Sequence, residues 1–391
     1  MYNFEVKKNM EKRKIDIFDT TLRDGEQGPG CLLTLQSKLD IAERLELMGV
    51  DIIEVGFPIS SPAEFKAVSE VSKLIKNAKV CALARAREID IDTAADALKD
   101  AKSPRIQLGI GSSDIHIKNK FNTTREKILD IAFNMVRYAS NKVDEVQFFA
   151  EDAGRADNVF LAKMVQTVVE AGARIVNLPD TNGFCTPFEY YEKIKFVIDN
   201  VPNIDKIKIS VHCHNDLGMA TANTIAGLLA GANQAEGTIN GVGERAGNAA
   251  LEEIIMTLVI KELPFFTSVN PVYIRDLSKI VETSMSNYVQ ANKAVVGRNA
   301  FAHSSGIHQD GVLKDRSNYE IIDPKLIGGD LPDLILTARS GRAALKNRMA
   351  ALNIRYIENE FEKYYEQFLR IADTKSVVTE KDLTDIFEIQ S

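Results

Sequence analysis

The strongest constraint in this sequence is a repeated hand-over from helix to strand. An amphipathic stretch at 34–48 is followed by Gly49-Val50 and then by an apolar run at 51–56. The same punctuation returns at Ala171-Gly172-Ala173 and at Ala230-Gly231-Ala232. Glycine at such a point takes the left-handed cap that ends a helix, and the β-branched run after it begins a strand. Extended along the chain, the pattern predicts strands at 15–21, 51–56, 79–84, 105–109, 143–150, 174–178, 206–214 and 234–239. Helical patterns lie between them, and a last one covers 248–261. Strict alternation implies a parallel sheet. Eight units over about 250 residues suit a closed (β/α)8 barrel, the TIM-barrel class of α/β fold. An open doubly wound sheet would want a glycine-rich turn after its first strand, and Thr21-Leu22-Arg23-Asp24-Gly25-Glu26 is not one.

In a barrel the chemistry sits where strands end and βα loops begin. The unusual polar residues fall there. Arg23, Asp24, Glu26 and Gln27 follow the first predicted strand, Arg85 and Arg87 the third, and Glu151, Asp152 and Arg155 the fifth. Asp180, Thr181 and Asn182 follow the sixth, and Glu244, Arg245 and Asn248 the eighth. The seventh ends in Val211-His212-Cys213-His214-Asn215-Asp216. Side chains alternate across a strand, so His212 and His214 share one face and Cys213 points away. Two imidazoles side by side on a polar face suit a divalent metal.

Asp24, His212 and His214 therefore form a candidate carboxylate and bis-histidine ligand set, of a kind that takes Mg²⁺, Mn²⁺, Zn²⁺ or Fe²⁺ without choosing among them. Asn248 can add a carbonyl oxygen, or it can simply cap the helix predicted to start there. Arg23 is a fixed cation suited to an oxygen that gains negative charge; the plainer alternative is a salt bridge to Glu54. Glu151 is a candidate acid/base, or else the partner of Arg155. Thr181 offers a hydroxyl to a substrate carboxylate, or caps the next helix. His308, in the glycine-flanked Gly306-Ile307-His308-Gln309-Asp310-Gly311, is a candidate general base or a solvated loop histidine.

Composition narrows the class. Hydrophobic residues make up 45% of the 391 and charged residues 26%, enough for a large core and a soluble surface. A net charge of −7 argues against a nucleic-acid partner. No apolar run approaches the roughly 20 residues that span a bilayer. The charged segment 1–14 has no signal core and reads as a tail. Cys31, Cys81, Cys185 and Cys213 are far apart, which fits reduced thiols in a cytoplasmic protein. The barrel is expected over 15–265. A mainly helical appendage is expected over 266–391, with helices at 272–287, 340–352 and 355–371 and a loop-rich stretch at 297–329.

These segments also carry a resemblance. Phe18-Asp19-Thr20-Thr21-Leu22-Arg23-Asp24-Gly25-Glu26-Gln27 is similar to the opening signature of the DRE-type metal-dependent TIM barrels. His212-Cys213-His214-Asn215-Asp216 and Gly241-Val242-Gly243-Glu244-Arg245-Ala246-Gly247-Asn248 resemble the second signature of the branch that condenses acyl-CoA with 2-oxo acids. The stretch from Gly306 to Lys314 resembles the 2-isopropylmalate synthases among the 2-isopropylmalate, homocitrate and citramalate synthases. The likeness runs from about Ile15 to the end.

It implies a divalent cation on Asp24, His212 and His214 with Asn248 nearby, and an oxyanion-stabilising Arg23. It implies Thr181 and Asn177 as contacts to a 2-oxo acid such as 3-methyl-2-oxobutanoate, and acetyl-CoA as the second substrate. Glu151, His308 and Tyr319 match positions implicated in acid/base steps. His308 and Tyr319 match positions that reach the partner's barrel, which implies a homodimer with crossed appendages. Many such enzymes continue into a leucine-binding regulatory domain, and none is expected within these 391 residues.

Overall fold

The structure, a computed structural model, describes residues 12–330 and 335–388. They fall into two compact units that meet between Val289 and Gln290. The first is a closed barrel of eight parallel strands: β1 (Asp16–Asp19), β2 (Ile52–Gly56), β3 (Lys79–Arg85), β4 (Pro104–Gly111), β5 (Glu145–Glu151), β6 (Ile175–Asn177), β7 (Lys208–His212) and β8 (Gln234–Gly237). β8 closes onto β1, with Asp16 opposite Gln234 and Asp19 opposite Gly237. The predicted fold class is the one observed.

Each strand is followed by a helix: α1 (Leu35–Met48), α2 (Pro62–Leu74), α3 (Glu88–Ala97), α4 (Arg125–Ser140), α5 (Asn158–Ala171), α6 (Pro187–Asn200), α7 (Ala220–Ala230) and α8 (Leu251–Ile260). The starts are encoded locally. Thr34, Ser61, Thr124, Asp157 and Thr186 each accept a bond from a backbone N–H in the first turn of their helix. Such caps satisfy donors that a helix start leaves orphaned. At the other end Gly49 (φ 85°) and Gly172 (φ 116°) take the left-handed conformation that a side chain would strain.

Alternate residues of each strand face the barrel interior, which in many barrels holds branched aliphatics. Here much of it is polar and buried: Arg105 and Gln107 on β4, Gln147 on β5, Ser210 on β7, Gln234 and Glu236 on β8. Buried polar groups must be paired, and these are. Arg105 donates to Glu145 (2.6 Å), Gln147 (3.0 Å) and Gln234 (2.8 Å). Gln107 donates to Glu54 (3.0 Å) and accepts from Gln147.

Several boundaries differ from those read in the sequence, among them the helix expected at 355–371, which is Phe361–Ala372, and the loop-rich stretch at 297–329, which holds a helix at Gly306–Lys314. Arg13–Lys14, assigned to the tail, pair in parallel with Phe265–Phe266, because a chain entering β1 already extended can satisfy its backbone there. The first unit runs past residue 265. Helix α9 (Ile274–Ser284) belongs to it, tied by Arg44 to Asp276 and by Asn240 to Ser278 (2.9 Å). The last barrel helix begins at Leu251, not at residue 248.

The second unit is mainly helical: α10 (Gly306–Lys314), α11 (Arg342–Ala351), α12 (Phe361–Ala372) and α13 (Glu380–Glu388). Leu345, Met349, Phe361, Phe368 and Leu383 are among the residues of its own apolar core. Replacing Arg105 with methionine leaves Glu145 with Lys79 as its cation and takes a donor from the Gln147 and Gln234 carbonyl oxygens. Leaving a buried acceptor such as the Gln234 oxygen without its donor costs about 1–3 kcal/mol. The barrel of R105M should therefore unfold at a clearly lower denaturant midpoint; an unchanged midpoint would show that the interior network carries no stability.

Candidate metal centre at the strand ends

Asp24 sits one turn beyond β1. The N–H groups of Arg23 and Asp24 both reach back to the Thr20 carbonyl (3.1 and 2.9 Å), so the chain folds sharply and returns the Asp24 side chain over the barrel mouth. His212 ends β7. The chain stays extended beyond it, and His214 forms an isolated bridge with Asn248. Alternation then puts both imidazoles on the interior side. Their Nε2 atoms lie 3.2 Å apart, and Oδ2 of Asp24 is 3.6 Å from the first and 3.9 Å from the second. All three residues are buried, at 4%, 5% and 7% exposure.

These separations test the predicted ligand set. Donors held about 2.1 Å from one divalent ion lie roughly 3.0–3.5 Å from each other. The three atoms here come close to that, and they form the one His/Cys/Asp/Glu group of metal-binding geometry among the described residues. The orphaned atoms agree. The Oδ1 of Asn248 is buried without a partner, while its Nδ2 donates to Asp24 (3.2 Å) and to the Val242 carbonyl (3.0 Å). Asn248 is not a helix cap: Ala250 precedes α8, and Asn248 packs against the ligand set. Asp24, His212 and His214 thus fit a divalent cation, with Asn248 beside them.

The charges are arranged for one. Burial alone would raise the Asp24 carboxyl, but Arg23 and the two imidazoles hold it well below the usual carboxylate range. Burial and the neighbouring His212 push His214 down to about 4, which leaves it neutral, the form that ligates metal. His212 moves the other way: burial lowers it, and the Glu236 and Asp24 carboxylates together more than compensate. Arg23 does make the salt bridge to Glu54 (2.7 Å), and it also reaches Asp24 (2.9 Å). Its Nε and Nη1 are engaged there, while the side chain still lines the cavity above the barrel.

That cavity, of about 270 Å³, brings together Arg23, Asp24, Glu151, Asn177, Thr181, His212 and His214. Thr181 does not cap the next helix, which Thr186 does. Its Oγ1 accepts from the Asp152 N–H (2.9 Å), which leaves the hydroxyl proton to donate. Asn177 gives its Nδ2 to Glu236 (2.9 Å) and keeps a buried, unpartnered Oδ1. Glu151 is not paired with Arg155, which is turned to Asp152 (2.8 Å). Its partner is Lys120 (2.6 Å), with His116 at 3.6 Å. The turn between Glu151 and Arg155 depends on Asp152, held at φ 64° by Arg155, Ser113 and Asn182.

His308 and Tyr319 lie in the second unit, where their rings stack at 4.2 Å. His308 is in the first turn of α10 rather than in a loop, and it is exposed. Gln309 beside it is buried and donates to the His303 and Ile335 carbonyls (2.9 and 2.8 Å), a structural use. The residues that the sequence reading passed over are Glu236, Gln107, Gln147 and Gln234. Polar side chains at every second position of a predicted strand were the available signal.

A closed barrel with a buried carboxylate and bis-histidine set at its strand ends defines a class of divalent-metal barrel enzymes. Comparison with known proteins agrees. Residues 14–283 match the HMGL-like family, and residues 295–376 match the homocitrate synthase post-HMGL domain-like family. A 2-isopropylmalate synthase of Parabacteroides distasonis is 53% identical over 95% of this chain and 74% of its own. One from Olsenella uli is 51% identical over 96% and 74%. A Bacillus subtilis HMG-CoA lyase (TM-score 0.62, 20% identity, 75% of this chain and 98% of its own) shares the fold. So does a Pseudomonas aeruginosa hydroxymethylglutaryl-CoA lyase (TM-score 0.62, 21% identity, 72% and 96%). The chain belongs to the 2-isopropylmalate synthase family, and so to the acyltransferases.

Replacing either His212 or His214 with alanine removes one of three charged or strongly donating ligands. In calorimetric titration with Mn²⁺ each variant should lose stoichiometric binding while keeping its far-ultraviolet circular dichroism; undiminished binding would place the ion elsewhere.

Proposed function

We propose that this chain condenses acetyl-CoA with 3-methyl-2-oxobutanoate and hydrolyses the thioester, giving 2-isopropylmalate and CoA on the way to leucine. The observation that carries this reading is the buried Asp24, His212 and His214 set, in a chain at 53% identity to a 2-isopropylmalate synthase. A bound Mg²⁺, Mn²⁺ or Zn²⁺ supplies Lewis acidity toward the keto group.

The chain's own residues do the rest. Thr181 donates its hydroxyl proton to the 2-oxo acid carboxylate, and Asn177 lines the same side of the cavity. Leu83, Phe149 and Pro179 offer an apolar wall to a branched side chain. The methyl carbon of acetyl-CoA must lose a proton before it attacks the keto carbon. The new carbon–carbon bond leaves a tertiary alkoxide, and the Arg23 guanidinium is the fixed cation for that charge. Protonation of the alkoxide and attack of water on the thioester complete the reaction. We assign the proton transfers to Glu151, His308 and Tyr319. The close stacking of His308 on Tyr319 supports their acting together. The reading includes a homodimer in which His308 and Tyr319 of one protomer serve the barrel of its partner, and a cytoplasmic location. It treats the first unit as the catalytic barrel and the second as the appendage that serves the partner. Among the described residues no helix is long and apolar enough to cross a membrane.

Release of free CoA thiol, followed with a panel of 2-oxo acids, tests the assignment. 3-Methyl-2-oxobutanoate should give the highest kcat/KM and pyruvate and 2-oxoglutarate much less; equal rates would overturn the assigned acceptor. His308→Ala should lower kcat by about 10²–10⁴-fold, the usual contribution of a positioned acid or base. Retention of full turnover in that variant would favour a lyase on the same barrel.

A further inference from the structure

Glu236 lies on β8, fully buried in the barrel interior, and no step above uses it. Its carboxylate is crowded with donors. Oε1 accepts from Ser210 (2.7 Å), Gln147 (2.6 Å) and Gln234 (3.1 Å). Oε2 accepts from Asn177 (2.9 Å) and lies 3.3 Å from Nδ1 of His212. Side chains from β5, β6, β7 and β8 thus fix one carboxylate beneath one histidine. His214 has no counterpart, since its Nδ1 is buried without a partner.

From this geometry we infer that Glu236 is the positioning residue of the metal centre, holding His212 in the tautomer that carries its proton on Nδ1. An imidazole has one proton for two nitrogens when neutral. With Nδ1–H directed at Glu236, the Nε2 lone pair faces Asp24 and His214, where an ion would be held. Oε2 also holds the amide of Asn177, a cavity-lining residue, so the same carboxylate orients a ligand and a substrate contact. Glutamine at 236 keeps the shape but exchanges one acceptor oxygen for a donor nitrogen. The other four donors already demand acceptors, so an amide donor turned toward His212 would call for the opposite tautomer, with the proton on Nε2 and the lone pair turned away from the ion.

The inference rests on the reading that Asp24, His212 and His214 hold a divalent ion, and the test separates the two. Metal-stripped full-length protein is titrated with Mn²⁺, free Mn²⁺ being read by electron paramagnetic resonance. If the wild type takes up no ion, the metal reading itself fails. If it does, E236Q should bind 10–100-fold more weakly, the usual effect of losing an orienting partner behind a ligand. S210A removes a donor from Glu236 without touching the His212 contact, and should stay within threefold of the wild type. Histidine ¹⁵N spectra of metal-free wild type above pH 8 supply the second readout. With five histidines in the chain, His212 is assigned by its loss in H212N. It should show Nδ1–H, and E236Q should shift it toward Nε2–H. An Nε2–H tautomer in the wild type overturns the inference even if E236Q fails to fold. So does wild-type affinity in E236Q, or equal weakening in S210A.

Discussion

Burying Asp24 beside two imidazoles is the arrangement everything else in the barrel serves. A carboxylate that is 4% exposed is costly unless its charge is compensated. Arg23 supplies one cation and the site supplies room for another. Arg23 is itself largely withdrawn from solvent, so it needs Glu54, and Glu54 needs Thr20 (2.6 Å) and Gln107 (3.0 Å). Burial keeps the Glu54 carboxyl above its usual range even with Arg23 against it. From Gln107 the chain of bonds runs through Gln147 to Glu236 and back to His212. The polar interior is a closed circuit that begins and ends at the candidate ligands. An aliphatic filling would pack as well, but it could not compensate charge at the mouth.

The circuit ties the site to the barrel frame, although Asp24, His214 and Asn248 stand just beyond the strand ends. Interior side chains on neighbouring strands are held in register by the parallel ladder. Glu236 pairs in register with His212 and Phe18, and Gln147 with Gln107. A site built this way is rigid before any ligand arrives, which is what positioning a metal and an oxyanion donor requires.

Much of this was legible in the sequence. Period-two runs separated by capped helices gave eight units, because the cap residues and the glycines at 49 and 172 act locally. The pair His212 and His214 was readable for the same reason: alternation alone puts them on one face. What was not legible depends on three-dimensional company. Whether Arg23 meets Glu54 or a substrate, and whether Glu151 meets Arg155 or Lys120, is decided by strands far apart in sequence. Asn248 looked like a cap because a helical pattern follows it, yet the bridge to His214 delays the helix until Leu251. The limit of the first unit was missed because α9 is amphipathic like any helix, and only its packing assigns it to the barrel.

The most direct test is to locate the ion. Anomalous diffraction from crystals grown with Mn²⁺ should show one peak per chain, about 2.0–2.2 Å from a carboxylate oxygen of Asp24 and from Nε2 of both His212 and His214. A peak elsewhere, or none at saturating Mn²⁺, would contradict the account at its centre.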